Sequence, residues 1–371
     1  IPAALIGILA INRLGAIHAV VFGGFASNAL AQRIEASRPV VILTASCGID
    51  GNKPPIPYKD YVEEAIKIPV EAAQDYHLVG FHVLDVLLQW LTGIRQREQL
   101  LWNPINKAKG ERDWKQLQRS AWKRGRRAEC VPVKSTDPIY IIYTSGTTGL
   151  PKGVLREAGG HAVGLHLSIS YLFDIMALVI GKYLQNVIGS YMIGTNWTQM
   201  GCFSDIGWVV SHSYTLYGPL LTGAATVLYE GKPVGTPDAS AFWRLVEEYK
   251  INTMFTAPTA LRAIRKEDPK NEHITRIGKR GGLRSLRAIF LAGERSEPAI
   301  ITMYQDLLKK YGAPDSHVVD NWWSSESGSP ISGIALVPHA GKDRLTDIKD
   351  HPPLLIKPGS AGKAMPGFDV R

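Results

Sequence analysis

Short apolar segments alternate with segments of helical periodicity along most of the chain. Runs rich in β-branched and aromatic residues predict buried strands at 20–22, 40–43, 139–143, 225–229, 251–255 and 286–291. Helices are predicted at 3–14, at 28–35 with Asn28 as the capping residue, at 260–266 and at 298–311. This alternation is typical of an α/β protein with doubly wound, mostly parallel sheets.

Glycine and polar residues follow several of the predicted strands. Gly23 and Gly24 follow the first of them, and Gly293 and Glu294 follow the last. In open parallel sheets, ligands bind outside the carboxyl ends of the strands. We therefore expect the candidate functional site at that edge of the sheet.

The richest of these sequences is TSGTTGLPKG at 144–153, directly after the strand at 139–143. Its glycines let backbone N–H groups turn toward a ligand, and its hydroxyls and lysine favour a polyphosphate. The spacing is not that of a Walker A loop, because Leu150 and Pro151 separate Gly149 from Lys152 and Gly153 stands where Ser or Thr would follow. A plain flexible loop is the alternative interpretation of such a composition.

Length and charge add limits to this interpretation. The chain has 371 residues, 45% of them hydrophobic, so it is long enough for more than one sub-domain and too apolar for global disorder. Its net charge of +9 is concentrated at 95–127, where eleven Lys or Arg stand against three Asp or Glu. This stretch indicates either attraction for an anionic partner or a solvated basic connection. No nucleic-acid-binding signature accompanies it, so no nucleic acid partner is expected.

The cysteines bear on the compartment. Three cysteines at long spacings predict neither a disulfide framework nor a zinc site. We expect free thiols in a reducing, intracellular compartment, either the cytoplasm or the mitochondrial matrix. No apolar run reaches the ~18 residues of a membrane span.

The string at 144–153 resembles the phosphate loop of the AMP-forming acyl-CoA synthetases, within the adenylate-forming (AMP-binding) family. Segment 204–214 is similar to the family's acyl-pocket segment. Three further segments are similar to the short-chain, propionyl-CoA synthetase-like branch of that family: 229–238, 255–260 and 322–328. The resemblance covers almost the whole chain. It implies the doubly wound, mostly parallel sheets of the family's N-terminal domain, truncated at both ends.

The resemblance also implies an activity. A carboxylate attacks the α-phosphate of ATP to give an acyl-adenylate and pyrophosphate, and coenzyme A then displaces AMP. The implied catalytic residues are Thr144, Thr147, Thr148, Lys152 and Glu326, with Glu326 as the ligand of Mg²⁺. The implied nucleotide-binding residues are Ser145, Gly146, Gly149, Gly293, Glu294, Arg295, Asp320, Asn321, Trp322, Trp323, Ser324 and Ser325.

Substrate size follows from the implied acyl pocket, which consists of Val209, Val210, Ala292 and Trp323. A Trp wall leaves room for a few carbons, while the apolar Val210 and the small Ala292 favour an acid slightly larger than acetate. We expect propionate, with butyrate or isobutyrate as alternatives. The implied coenzyme A contacts are Gly23, Gly24, Lys53 and Ala257. Asp50 replaces an arginine of the acetate enzymes, which leaves the binding of the coenzyme A phosphate open.

The domain organisation is also an expectation from the resemblance. The whole of 1–371 would be an incomplete N-terminal AMP-binding domain, with 1–134 as a first part that includes 95–127. Residues 135–371 would contain the phosphate loop, the acyl pocket and the nucleotide segment. The C-terminal lid domain would be absent, so we expect this polypeptide not to turn over. Segments 80–92 and 181–199 differ from the family pattern. Each is either a genuine insertion or unspliced intron sequence.

Two alternatives remain at this point. One is a non-catalytic ATP- or AMP-binding remnant, and the other is an adenylating enzyme for another acid. Trp323 argues against long chains, and no buried acid for an amino group is evident in the pocket segment. The sequence leaves the oligomeric state unknown.

Overall fold

The computed structural model describes residues 2–48, 54–68, 77–81 (backbone alone), 105–109, 111–144, 151–175, 198–336 and 356–370. Internal contacts divide the chain into two units, Ile1–Glu157 and Ala158–Arg371. The division at 134/135 groups residues by motif and stays a prediction. Among the described residues, no helix combines the length and the apolar character that crossing a lipid bilayer requires.

The first unit contains two small sheets and the helices connected to them. Its helices are α1 (Pro2–Arg13), α2 (Ser27–Ser37), α3 (Tyr58–Lys67) and α4 (Trp114–Lys123), with a 3₁₀ turn at Lys107–Lys109. Its strands are β1 (His18–Ala19), β2 (Val41–Ala45), β3 (His77–Phe81), β4 (Arg112–Asp113), β5 (Pro138–Thr144) and β6 (Lys152–Glu157). Strands β2, β3 and β4 are parallel. Strand β5 pairs in parallel with β1 and antiparallel with β6.

Two local predictions for this unit are wrong. The apolar run at 20–22 forms no strand, because the pairing with β5 occurs at His18 and Ala19 instead. Helix α2 begins at Ser27, and Ala26 at its N-cap makes no side-chain bond. The Ser27 hydroxyl instead donates to Oε2 of Glu64 on α3 at 2.6 Å. A tertiary contact thus replaces the predicted cap at Asn28.

The second unit contains a seven-stranded sheet in the order β13-β12-β11-β10-β9-β7-β8. Its strands are β7 (Gln199–Cys202), β8 (Ala225–Thr226), β9 (Thr253–Thr256), β10 (Ala288–Leu291), β11 (His317–Trp322), β12 (Ser332–Gly333) and β13 (Lys363–Ala364). Its α-helices are α5 (Ala158–Leu167), α6 (Val209–Ser211), α7 (Gly218–Leu221), α8 (Ala241–Tyr249), α9 (Pro258–Glu267), α10 (Glu272–Lys279) and α11 (Pro298–Tyr311). Two π-helical turns, Ser168–Leu172 and His212–Tyr217, follow α5 and α6. Strands β7 to β11 are parallel to one another. Strand β12 pairs antiparallel with β11, and β13 pairs antiparallel with β12.

Alternating side chains of the central strands pack into two separate hydrophobic clusters. Ile289 and Leu291 of β10 belong to the cluster that includes side chains from α8 to α11. Ala288 and Phe290 belong to the cluster that includes residues from α5 and from both π turns. Because successive strand residues point to opposite faces, the sheet is covered by helices on both sides. This confirms the predicted doubly wound, mostly parallel α/β fold.

Candidate functional site

The carboxyl ends of β9, β10 and β11 lie in register. Thr256 is opposite Leu291, and Leu291 is opposite Asp320. The chain leaves these strand ends through residues singled out in the sequence, namely Ala257, Ala292 to Arg295, and Asn321 to Ser325. The second unit therefore brings three of the predicted segments to one edge of its sheet.

Three of the four predicted acyl-pocket residues come together on one face of this sheet. Val210, Ala292 and Trp323 belong to or pack against the same hydrophobic cluster. The Trp323 ring meets the Tyr214 ring edge-on, with 5.6 Å between centroids, and lies 6.3 Å from the Phe255 ring. Val209 is buried at the first position of α6, outside this cluster. The apolar wall is thus built mainly from Trp323, Tyr214 and Phe255.

Val319 and Asn321 alternate along β11 and lie on the same face of the strand, and Trp323, the residue after the strand, packs against the cluster that contains Val319. Asn321 is 5% exposed, and neither atom of its side-chain amide has a hydrogen-bond partner among the described residues. A buried, unpaired amide is costly, and native proteins rarely leave one without a partner. The Asn321 side chain is therefore suited to hold a polar ligand group beside the apolar wall.

Asp320 points to the opposite face, so the structure separates it from Asn321 and Trp323. Its Oδ1 accepts a hydrogen bond from the hydroxyl of buried Ser296, and its Oδ2 has no partner among the described residues. Burial raises the pKa of Asp320, although the bonds from Ser296 and from the Gly359 backbone act in the other direction. Thr256, in the same row of the sheet, has a buried hydroxyl that is unpaired within the described part of the chain.

Glu294 is engaged at the surface. Its carboxylate accepts hydrogen bonds from the Thr259 hydroxyl and from Nη2 of Arg262 on α9, the latter at 2.8 Å. Burial by itself would raise the pKa of Glu294, but the bonds from Thr259 and Arg262 outweigh it and hold the pKa below its usual value. Gly293 and Arg295 on either side are exposed. A role for this segment along the nucleotide stays a prediction.

A tight turn from Ser324 to Gly328 carries Glu326. The Ser327 hydroxyl donates to the carbonyl oxygens of Ser324 and Ser329 at 2.9 and 2.8 Å, and the Gly328 amide donates back to the Ser324 carbonyl. Gly328 has φ +70°, a conformation that favours glycine. Glu326 is exposed on this turn and Ser325 is half-buried. Trp322, just before the turn, is 55% exposed.

A magnesium site is compatible with this turn. No group of three or more His, Cys, Asp or Glu capable of holding a metal occurs within the described ranges. Mg²⁺ in phosphate-transfer sites is commonly held by one or two carboxylates together with the substrate phosphates. The single exposed carboxylate of Glu326 fits that mode of binding, in which the nucleotide supplies the other oxygen ligands.

In the first unit, Thr144 and Lys152 lie directly opposite each other at the ends of β5 and β6. The hairpin therefore places the predicted lysine beside the first residue of the phosphate loop. The loop residues Ser145, Gly146, Thr147, Thr148 and Gly149 lie outside the described residues, as does Lys53. The sequence identified the strand before the loop but missed the returning strand β6.

Gly23 and Gly24 are explained locally by aromatic packing. A Cβ atom at Gly23 would collide with the Tyr58 ring, and one at Gly24 would collide with the Phe22 ring. The guanidinium of Arg33 lies 4.2 Å from the centroid of the neighbouring Phe25 ring. Ala257 in the second unit is the N-cap of α9. Contacts of these residues with coenzyme A stay a prediction.

Several residues of the candidate site were not predicted. Ser296 reaches Asp320 across 24 positions of sequence, and no periodicity in the sequence indicates that pairing. Tyr214 stands at the end of the 204–214 segment and Phe255 in a predicted strand, but their contact with Trp323 depends on the sheet topology. For Tyr214, the recognised segment was a signal that could have been used.

Comparisons with known proteins show what the chain as a whole is similar to. A family model described as "AMP-binding enzyme" matches residues 1–371. The chain is 40% identical over 370 residues to acyl-CoA synthetase short-chain family member 3, mitochondrial, of Homo sapiens, a match that covers 100% of this chain and 45% of the relative. It is 37% identical over 374 residues to propionate–CoA ligase of Salmonella typhimurium, covering 100% of this chain and 49% of the relative.

The chain therefore spans about half the length of these relatives. Among solved structures, acetoacetyl-CoA synthetase from Streptomyces lividans aligns with a TM-score of 0.66 at 20% identity, over 90% of this chain and 43% of that one. This likeness supports the fold. On the full-length match of the family model, the chain belongs to the AMP-binding enzyme family.

Proposed function

We propose that this protein activates a short-chain carboxylate, with propionate favoured, to an acyl-adenylate and then to an acyl-CoA. The substrates would be ATP, the acid and coenzyme A, and the products pyrophosphate, AMP and the thioester. The names of two relatives support the class of reaction, because one is a short-chain acyl-CoA synthetase and the other a propionate–CoA ligase. The predicted site residues are part of this proposal.

The observation that carries the proposal is the placement of Asn321 on the face of β11 that also carries Val319, a member of the cluster against which Trp323 packs. An acyl-adenylate joins a polar nucleotide to an apolar acyl chain. The buried unpaired amide of Asn321 suits the polar part, and the cluster of Trp323, Val210 and Ala292 suits the apolar part. Asn321 and Trp323, which would provide the polar contact and the apolar surface, lie two residues apart at the end of β11.

The chemistry needs positioning and charge neutralisation more than a covalent nucleophile. An oxygen of the substrate carboxylate forms a bond to the α-phosphorus while the bond to pyrophosphate breaks. Lys152 and the loop that starts at Thr144 would bind the β- and γ-phosphates and offset their charge. Glu326 would hold Mg²⁺, which supplies charge neutralisation to the phosphates when it is bound.

In the second step, the thiol sulfur of coenzyme A forms a bond to the acyl carbon, its proton leaves, and the bond to AMP breaks. Gly23, Gly24, Lys53 and Ala257 are the proposed contacts of coenzyme A. During both steps Trp323 would restrict the length of the acyl chain. The small Ala292 and the apolar Val210 would leave room for one carbon more than acetate has.

The test is ATP–pyrophosphate exchange with acetate, propionate and butyrate, measured on the complete product of the gene. We expect exchange with all three acids and the highest kcat/KM with propionate. Lack of exchange with any carboxylate would contradict the ligase assignment. ATP binding without exchange would favour a non-catalytic nucleotide-binding protein. Exchange by the 371-residue polypeptide alone would contradict the expectation that it does not turn over.

A single substitution tests the phosphate-binding role. Lys152→Met removes the charge opposite Thr144, so we expect weaker ATP binding by calorimetry. Lys134→Met is the matched control, because Lys134 is an exposed lysine of the same unit. Equal ATP affinities for the two variants would argue against a role of Lys152 in phosphate binding.

Organisation and compartment complete the proposal. We propose that 1–134 is a first part of the AMP-binding domain and that 135–371 contains the phosphate loop, the acyl pocket and the nucleotide segment. Cys47, Cys130 and Cys202 are free thiols, which is compatible with a reducing intracellular compartment. The human relative is named as a mitochondrial protein. Fractionation of cells followed by detection of the protein would identify the compartment.

A further inference from the structure

We propose that the π-helical turn His212–Tyr217 positions two functional side chains at once. Ser213 would hold the turn that carries Glu326, and Tyr214 would hold the Trp323 wall. The proposal rests on the proposed function and adds two positioning residues to it. The π turn contacts the segment 323–328 at both ends of that segment, at Trp323 and at Gly328.

The first contact closes the turn. The Ser213 hydroxyl donates a hydrogen bond of 2.6 Å to the Gly328 carbonyl, 115 positions away in sequence. Ser213 is fully buried, so water does not compete for this bond. A buried bond to the last residue of a five-residue turn limits the positions that Glu326 can occupy. Ser213 thus acts on Glu326 through the backbone.

The second contact fixes the wall. Tyr214 is fully buried, and its hydroxyl donates a 2.8 Å bond to Oγ of Ser168 in the other π turn. The Ser168 hydroxyl donates in turn to the Leu165 carbonyl at 3.1 Å. The Tyr214 ring packs edge-on against both Phe173 and Trp323. Because the hydroxyl end of Tyr214 is anchored, its ring offers Trp323 a fixed support.

The π geometry explains why adjacent residues can do both tasks. A π turn is a rare irregularity within helices and is often retained at functional sites. Here it places Ser213 toward Gly328 and the next residue toward Trp323 and Ser168. The position of the metal-binding carboxylate and the depth of the acyl pocket would therefore depend on the same turn.

The test of Ser213 compares Ser213→Ala with Ser211→Ala. Ser211 is also fully buried and donates a 2.7 Å bond to a backbone carbonyl, but that carbonyl belongs to Ser204. We expect Ser213→Ala to speed amide hydrogen exchange at 324–328 and to weaken the apparent Mg²⁺ affinity in pyrophosphate exchange by about tenfold. Ser211→Ala should change neither quantity.

Tyr214 is tested by Tyr214→Phe, which removes only the anchoring hydroxyl. We expect a reduced preference for propionate over butyrate, with KM for the acids changed and the Mg²⁺ dependence unchanged. Hydrogen exchange at 324–328 that is identical in Ser213→Ala, Ser211→Ala and the unmodified protein would overturn the role of Ser213. An unaltered chain-length preference in Tyr214→Phe would overturn that of Tyr214.

Failure of the proposed function gives a different result. In that case the unmodified protein shows no carboxylate-dependent pyrophosphate exchange. The hydrogen-exchange comparison still reports whether Ser213 holds the turn, because it requires no turnover. Melting temperatures of all three variants show whether a change reflects general destabilisation, which would affect Ser213→Ala and Ser211→Ala alike.

Discussion

The Ser296 hydroxyl donates a buried hydrogen bond to Oδ1 of Asp320 and so joins the segment after β10 to β11. Asp320 is itself one of the proposed nucleotide-binding residues, and Ser296 directly follows another of them, Arg295. The bond leaves Oδ2 of Asp320 without a partner in the described part of the molecule. Asp320 is therefore a buried carboxylate that is only partly compensated.

This relationship predicts a pH dependence of stability. Burial raises the pKa of Asp320 above 3.8, its ordinary value. The folded protein then binds the proton more tightly than the unfolded chain does. The resulting stabilisation is present below pH 3.8 and is lost as the pH rises through the folded-state pKa. We expect the unfolding free energy of the unmodified protein, relative to Asp320→Asn, to fall over that window in urea titrations.

Asp238 provides a control of opposite sign. A hydrogen bond from Ser240 lowers the pKa of Asp238, so its stabilising contribution is present above pH 3.8 and is lost as the pH falls through the folded-state pKa. The difference between the unmodified protein and Asp238→Asn should therefore grow with rising pH. A difference that stays constant with pH for Asp320→Asn, or that rises with pH as for Asp238→Asn, would contradict a raised pKa of Asp320.

Substitutions of two asparagines, Asn252 and Asn321, separate a loss of protein stability from a loss of ligand binding. Asn252 is satisfied, since its Oδ1 accepts from the Gln199 amide at 2.8 Å and its Nδ2 donates to the Ser285 carbonyl at 3.3 Å. Asn252→Leu should cost about 1–3 kcal/mol of unfolding free energy, because it removes the partners of two partly buried backbone groups, the Gln199 amide and the Ser285 carbonyl. Asn321→Leu should cost little stability and weaken nucleotide binding. Calorimetric titration with ATP measures nucleotide affinity, and urea denaturation measures the unfolding free energy. A large loss of stability in Asn321→Leu would contradict the assignment of Asn321 as a ligand-binding residue.

Trp323 should set the length of the acyl chain. Trp323→Ala removes the indole that packs on Tyr214 and Phe255, and each additional methylene buried in the space is worth ~0.8 kcal/mol, about fourfold in kcat/KM. We expect the optimum to move from propionate toward longer acids in pyrophosphate exchange. Trp322→Ala is the control, since Trp322 is 55% exposed and should influence nucleotide affinity alone. A shift of chain length in the control would refute the assignment of the wall to Trp323.

A buried ion pair supports the first unit. Lys59 Nζ lies 2.8 Å from Oε2 of Glu111, and their side chains are 3% and 1% exposed. Glu111→Gln leaves the buried Lys59 ammonium with the 22% exposed carboxylate of Glu63, 3.5 Å away, as its remaining ionic partner, so the loss should be at most about 3–5 kcal/mol. The double variant Lys59→Met/Glu111→Leu should lose less, because it buries no charge. Urea denaturation measures the unfolding free energy of both variants. Equal losses of unfolding free energy would exclude a buried, poorly compensated charge as the cause.

Sequence patterns predicted correctly those helices and strands whose ends are determined by nearby residues in the chain. Helix α11 matches its prediction at both ends, since Pro298 begins it and Gly312 follows Tyr311. The strand at 20–22 was wrong because partner register, which is not local, decides where a short strand forms. Helix α5 was missed because Gly159, Gly160 and Gly164 lower its intrinsic helix propensity, and packing of its buried residues compensates for this.

The candidate site divides in the same way. The position of Asn321 and Trp323 at the end of a strand could be predicted from the apolar run before them and from the family resemblance. The separation of Asp320 from Asn321 follows from the alternation of β11 once its bounds are known, whereas the packing of Trp323 beyond the strand end depends on the tertiary structure. The bonds from Ser213 to Gly328 and from Ser296 to Asp320 join residues that no sequence pattern relates, so the structure was needed to find them.

The pairing of Thr144 with Lys152 makes the phosphate loop dependent on strand register. Because side chains alternate between the two faces of a strand, a shift of β6 by one residue against β5 would turn the lysine to the opposite face. Deleting one residue between Gly153 and Glu157 would therefore affect the charge at the loop even though the loop sequence itself stays intact. The register of β6 against β5 therefore helps to determine where the Lys152 charge lies.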